Sequence, residues 1–208
     1  MSDEKRRYRM TARAELEKQT RLKIVQSAVA LHGSVGPART TIGALAERAG
    51  VRRSTVYRHF PDEAALFAAC SAHWAAGDPL PNFTMWAEIL NCEERLARAL
   101  GELYPHYERN EQMMINILRD EAAMPVITPH LNHYREYLLG ARVVLMEGRS
   151  ETGAGRLLAE AAIGHALAFH TWRSLAREQK LRLYDALHLV LLLVWNASSS
   201  DRLEARLP

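Results

Sequence analysis

Cysteine is almost missing from these 208 residues: Cys70 and Cys92 stand alone and far apart. Two such residues exclude a disulfide framework and lack the close pairing of a zinc or thiol-redox motif, a usage that suits a reducing cytoplasm. Long apolar runs are also wanting. The strongest, residues 189–195, is far short of the roughly 20 residues that span a bilayer, and the basic start has no apolar segment of the secretory kind. There is no Gly-rich phosphate loop, no metal-ligand spacing and no G-x-S-x-G nucleophile motif, which argues against an enzyme and implies neither cofactor nor metal. His165 and His170, five apart, suit one helical face poorly. Repeats, low-complexity tracts and β-alternation of useful length are absent, and 11 Gly with 8 Pro leave long stretches free for helix.

What is present is unevenly charged. The net charge of +3 hides a basic head: residues 1–60 carry 13 Lys and Arg against 5 Asp and Glu, a net of +8, and residues 61–208 carry a net of −5. A basic head on an acidic body is the footprint expected for a polyanion partner, with a solvated charged face as the plainer alternative.

Apolar spacing predicts an all-α protein. Residues 1–20 read as a basic arm, with a first helix beginning at Thr11 or a little later and running to Gly33 and Gly36. Thr40 and Thr41 offer N-cap hydroxyls to a short helix carrying Ile42, Leu45, Ala46 and Ala49. A third short helix covers about 52–59, and Asp62 caps a fourth that carries Leu66, Phe67 and Cys70. Asn91 with Glu94 resembles a capping box before a helix through Leu96, Leu100, Leu103 and Tyr107, which Pro105 is expected to kink. A separate helix carries Met113 to Leu118, another covers about 129–147, and the last two cover 156–178 and 181–197. The final helix is apolar around nearly its whole circumference, which predicts a homodimer interface; a helix central to one subunit is the alternative.

The specific signal lies in residues 40–60, TTIGALAERAGVRRSTVYRHF. Ala46 is small where a second helix crosses closely, Gly50 supplies the left-handed turn, and Val56 plugs the angle between helices. This is the pattern of a helix-turn-helix that binds double-stranded DNA. Arg52, Arg53, Ser54, Thr55 and Arg58 are the polar residues of the helix that would enter the major groove, with Arg53 or Arg58 suited to guanine and Thr55 to a thymine methyl. Tyr57 and His59 have the reach for phosphates, or else pack inside the domain. Thr40 and Thr41 favour a further phosphate at a helix N-terminus.

Residues 21–67 resemble the DNA-binding domain of the TetR family, through Thr40, Thr41, Ala49, Gly50, Val51, Tyr57, His59 and Phe60. The resemblance implies a three-helix DNA-binding domain over residues 21–60 and a helical regulatory and dimerisation domain over 61–208. It further implies dimerisation by the last two helices, a ligand cavity in the body, and release of DNA when that cavity fills. Two departures stand out. Glu63 occupies the place of a family lysine that touches phosphate, and Gly43 stands where some relatives carry a base-reading side chain. The arm residues Lys5, Arg6, Arg7 and Arg9 offer replacement contacts, or form a plain tail.

For the body, Trp74, Trp86, Tyr104, Tyr107, Met114, Tyr134, Phe169 and Trp172 are the candidate lining of a ligand site, against the ordinary alternative of core. His73, His106, Arg119, His165 and His170 are candidates to orient its polar groups. The expectation is a cytoplasmic, ligand-responsive, sequence-specific regulator, most simply a repressor released by a small hydrophobic or amphipathic molecule, with the fourth helix as the lever. The alternative is a constitutive or architectural DNA-binding protein without an effector.

Overall fold

The computed structural model describes residues 2–198, and these are helical with no strand. Ten α-helices follow in order among them: α1 Ser2–Ser34, α2 Ile42–Ala49, α3 Arg53–His59, α4 Glu63–Gly77, α5 Phe83–Trp86, α6 Cys92–Asp120, α7 Thr128–Met146, α8 Gly153–Leu167, α9 Phe169–Arg173 and α10 Leu183–Ser198. The chain forms two compact units. Unit 1 holds the chain through Pro79 together with Glu111–His130, and unit 2 holds Leu80–Asn110 and the chain from Leu131 onward.

Unit 1 is built on one apolar cluster. Ile24, Val25 and Ala28 of α1 meet Leu45, Ala46 and Ala49 of α2, Val56 of α3, Phe60, and Leu66 and Cys70 of α4, all buried. Each large side chain taken from water there is worth about 1.5–3 kcal/mol. Through Leu66 and Cys70, α4 packs with the head, although the sequence pattern starts a second domain after Phe60. Below this cluster α1 continues bare: residues 7–19 are all exposed. The helix starts at Ser2, well before the Thr11 start that apolar spacing suggests. The stretch has no Gly or Pro, is rich in strong helix formers, and sets Glu15 near Lys18 and Glu17 near Arg21 at helical spacing. It needs no buried face to be helical. The side chains of Lys5 and Arg6 lie outside the described residues, while Arg7 and Arg9 are exposed.

Two further differences from the sequence pattern lie in α6 and α8. The two helices expected through Leu96–Tyr107 and Met113–Leu118 form one helix of 29 residues, with Pro105 inside it. Leu103, Tyr104, His106 and Tyr107 around the proline are all buried, and packing on both sides outweighs the one hydrogen bond that proline removes. Conversely, the helix expected over 156–178 is broken at Ala168, which is extended with φ −70° and ψ 136°. A five-residue π turn, Ser174–Glu178, follows α9.

The break exposes carbonyls that side chains then satisfy. Thr171 Oγ1 donates to the His165 carbonyl at 2.6 Å, Tyr104 Oη to Ala166 at 3.0 Å and Tyr107 Oη to Leu167 at 2.6 Å. Beyond the break, Tyr134 Oη accepts from the Phe169 backbone N–H and lies 2.8 Å from Tyr107 Oη. Because the Tyr107 proton points to Leu167, the Tyr134 hydroxyl donates to Tyr107. The chain of hydrogen bonds thus runs from one side of Ala168 to the other. Burial raises the hydroxyl pKa of Tyr104, Tyr107 and Tyr134, the last to about 12.

Candidate nucleic-acid interface

The head geometry follows from local backbone rules. Thr41 is the N-cap of α2, its Oγ1 accepting from the Ala44 N–H at 3.1 Å. Thr40 acts differently, its Oγ1 donating to the Gly36 carbonyl at 2.8 Å and so holding the approach to α2. At the other end Gly50 takes φ 66°, and the Val51 N–H returns to the Ala46 carbonyl at 2.9 Å. That left-handed residue turns the chain into Arg52, the N-cap of α3.

Helix α3 is thereby fixed with one face in and one out. Val56 is fully enclosed and Phe60 nearly so, whereas Arg52, Arg53, Ser54, Tyr57 and Arg58 are exposed and Thr55 is half-buried. Tyr57, 56% exposed, is free of the domain interior. His59 is half-buried, with Nε2 enclosed and without a hydrogen-bond partner. Its carbonyl accepts from Arg21 Nη1 at 2.9 Å, and the same guanidinium sits 4.1 Å over the Phe60 ring. Arg21 is a supporting residue that motif reading passes over, because its partners are 38 and 39 positions away. The Arg53 guanidinium lies across Gly43 of α2: a Cβ there would stand 2.7 Å from Nη2 and 3.3 Å from Cζ.

A second set of residues, also unmarked by any motif, ties the end of α6 to the end of α1. Asn116 Nδ2 donates to the His32 and Gly33 carbonyls at 2.8 and 3.0 Å, and Arg119 Nη2 to that of Val35 at 3.1 Å. Asp120 accepts from the Ala38 N–H at 3.0 Å and pairs with Arg119 at 2.7 Å. Arg119, one of the candidate polar groups for a ligand, therefore serves within the head. Its hydrogen bond, set against burial, keeps the Asp120 carboxyl below the usual range. His32 is buried and stacks on Phe67 at 5.6 Å, and desolvation lowers its pKa to about 4, against the pull of Asp120.

The candidate ligand residues divide between the units. Within unit 2, Tyr107, Phe169 and Trp172 share ring contacts at 5.5–6.0 Å, and Tyr104 and Tyr134 join them through the hydrogen bonds at Ala168. Trp86 is buried on α5, its indole N–H donating to Glu102 at 2.9 Å. Half-buried Trp74 and buried Met114 belong to unit 1. An open cleft of about 200 Å³ also lies in unit 1, floored by Ile42, Leu45, Val56, Phe60 and Leu66. Among the described residues no helix is long and apolar enough to cross a membrane.

A basic head, a capped short helix, a glycine corner and a second helix with its polar face turned outward define a helix-turn-helix protein of the all-helical class. Residues 24–70, under a quarter of the chain, match the model of the bacterial regulatory proteins of the tetR family. Among solved structures, a Mesorhizobium loti protein assigned as a TetR-family transcriptional regulator superposes with a TM-score of 0.63 at 18% identity, covering 88% of this chain and 96% of its own. A TetR-like transcriptional regulator from Rhodococcus sp. gives 0.60 at 17% identity, covering 86% and 96%. Likeness at this level is likeness of fold, and it extends the TetR-like plan over the body. A comparison with curated protein sequences finds no match.

Proposed function

We propose that the protein is a ligand-responsive, sequence-specific regulator of transcription, a repressor that leaves its operator when a small hydrophobic or amphipathic molecule binds. The observation that carries this reading is the outward polar face of α3, held by the Gly50 corner on a head of net charge +8. In the major groove, Arg53 and Arg58 face base edges with Ser54 and Thr55, while Arg52, Tyr57 and the start of α2 at Thr40 and Thr41 meet phosphates. His59 holds the end of α3 against Arg21. Two copies pair through α8 and α10, whose Leu157, Leu158, Leu192, Leu193 and Trp195 are exposed. Pairing sets two recognition helices about 34–36 Å apart, for successive major grooves.

The effector site is assigned to the unit 2 cluster of Tyr104, Tyr107, Tyr134, Phe169 and Trp172, with Trp86 beside it on α5. Trp74 and Met114 are second candidates on the head side of the chain. Helix α6 suits a coupling role better than α4, because it carries Tyr104 and Tyr107 at its middle and Asn116, Arg119 and Asp120 at its C-terminal end. A ligand that prefers one arrangement of this helix shifts operator affinity by the difference, typically about 1–3 kcal/mol. The second reading, a constitutive DNA-binding protein without an effector, draws support from the close ring packing in that cluster and the engaged Tyr104 and Tyr107 hydroxyls.

Selection of bound duplexes from fragmented genomic DNA tests the first claim, and the expected result is a small set of sites sharing an inverted repeat. Recovery of unrelated sequences with equal affinity would overturn it. A screen of hydrophobic acids, amines and phenols against the protein bound to its selected duplex then separates the two readings. Release of DNA accompanied by a change in Trp172 fluorescence supports an effector, and its absence across the screen favours the constitutive protein.

A further inference from the structure

Gly43 is the second residue of α2, a place where glycine destabilises a helix relative to alanine. Its φ lies outside the left-handed range, so no turn demands glycine there. What demands it is space. The position a Cβ would take is filled by Arg53 of the next helix, with Nη2 2.7 Å, Cζ 3.3 Å and Nε 3.4 Å away. Three atoms of one guanidinium at these distances mean that the planar group lies across the bare backbone of α2.

We propose that Gly43 is a specificity-determining residue: its missing side chain is the seat on which Arg53 rests, so α2 sets the direction in which α3 reads DNA. The inference rests on the assignment of Arg53 to base edges and adds a positioning partner to it. An exposed arginine has many rotamers, and holding it in one lowers the ordering cost of each contact it makes. The seat is itself rigid, since Thr41 caps α2 at one side of Gly43 and Gly50 fixes the angle to α3 at the other. Adding a methyl group at position 43 pushes the guanidinium off. Only the far end of a flexible side chain has to move, so the helix accepts the change without strain.

Stability and recognition therefore respond in opposite directions to Gly43→Ala. The test uses the full-length protein and the best duplex it selects from a random library, and measures discrimination as the affinity ratio between that duplex and each single base-pair variant. Arg53→Ala is expected to lower discrimination at one or two positions by roughly 5- to 150-fold. Gly43→Ala is expected to lower it several-fold at those same positions while the melting temperature holds or rises. In the Arg53→Ala background, Gly43→Ala is expected to change nothing further. Full discrimination in Gly43→Ala would overturn the seat and leave Arg53 as a reader. Persistence of the Gly43→Ala effect without Arg53 would also overturn it, because the methyl would then act on the DNA directly. Unchanged discrimination in Arg53→Ala would remove the underlying reading together with the seat.

Discussion

Tyr107 shows how a single side chain on α6 decides the shape of another helix. Its hydroxyl donates to Leu167 and accepts from Tyr134, and its ring lies edge-on to Phe169 at 5.5 Å. Tyr107→Phe keeps the ring and strands the Leu167 carbonyl beside an extended Ala168. An unsatisfied buried acceptor costs about 1–3 kcal/mol, so urea denaturation is expected to show a loss of that size with unchanged oligomeric state. A loss under about 0.5 kcal/mol, the size of an ordinary surface substitution, would mean that the break needs no cap. Gly50→Ala tests the other special residue: a Cβ there meets nothing within 4 Å, and the only penalty is the φ of 66°, worth roughly 1–2 kcal/mol. Residues such as Gly50, Thr41, Asp62 and Asn91 were readable from sequence because each answers a local backbone need within four positions. Arg21 and the hydroxyl of Tyr107 answer needs set by distant chain, at His59 and Leu167, and the spacing that marks Tyr107 as apolar stripe announces neither partner.

The contact between the ends of α1 and α6 gives the element scale its pH dependence. His32 is neutral in the folded head, with a pKa near 4 against an ordinary 6.5. Above pH 6.5 folded and unfolded chains both carry it neutral, and its contribution is constant. As pH falls from 6.5 towards 4 the unfolded chain binds a proton that the folded head does not, and stability drops, by on the order of 3 kcal/mol in full. Asp120, whose carboxyl is held low by Arg119, adds a second loss at still lower pH as it is protonated. Thermal melts by circular dichroism are expected to fall between pH 6.5 and about 4.5, and His32→Phe, which keeps a ring against Phe67, should flatten that part of the curve. An equal fall in His32→Phe would assign it elsewhere. This contact also marks where element reading from sequence stopped. Apolar periodicity found the helices of the head because their buried faces are apolar, as at Leu45, Ala46 and Ala49. It missed the start of α1, where propensity alone makes helix, and divided α6 between Tyr107 and Met113, where the helix runs on unbroken.

At the scale of the whole molecule, α10 leaves Leu192, Leu193 and Trp195 exposed, the last at 63%, on a helix that packs against α8 with its own exposed Leu157. Surfaces of this kind are rarely left to water, and the dimer proposed above would close them with a second copy of the same face by two-fold symmetry. Leu193→Asp combined with Trp195→Asp places two carboxylates in the centre of that face and is expected to give a folded monomer by sedimentation, with the helical spectrum retained. The consequence for DNA is specific. Each head releases counterions from the phosphates it neutralises, so the slope of log affinity against log salt is about −0.9 for each contact. Two linked heads give twice the slope of one. The monomeric variant should therefore bind the selected duplex with half the wild-type salt slope and lose the preference for a fixed half-site spacing, while the contribution of Arg53 within a half-site stays as it was. A variant that remains dimeric would move the interface away from α10. A monomer with the full wild-type slope would mean that a single head, extended by the exposed basic run of α1, makes all the phosphate contacts, and the paired-groove geometry would have to be given up.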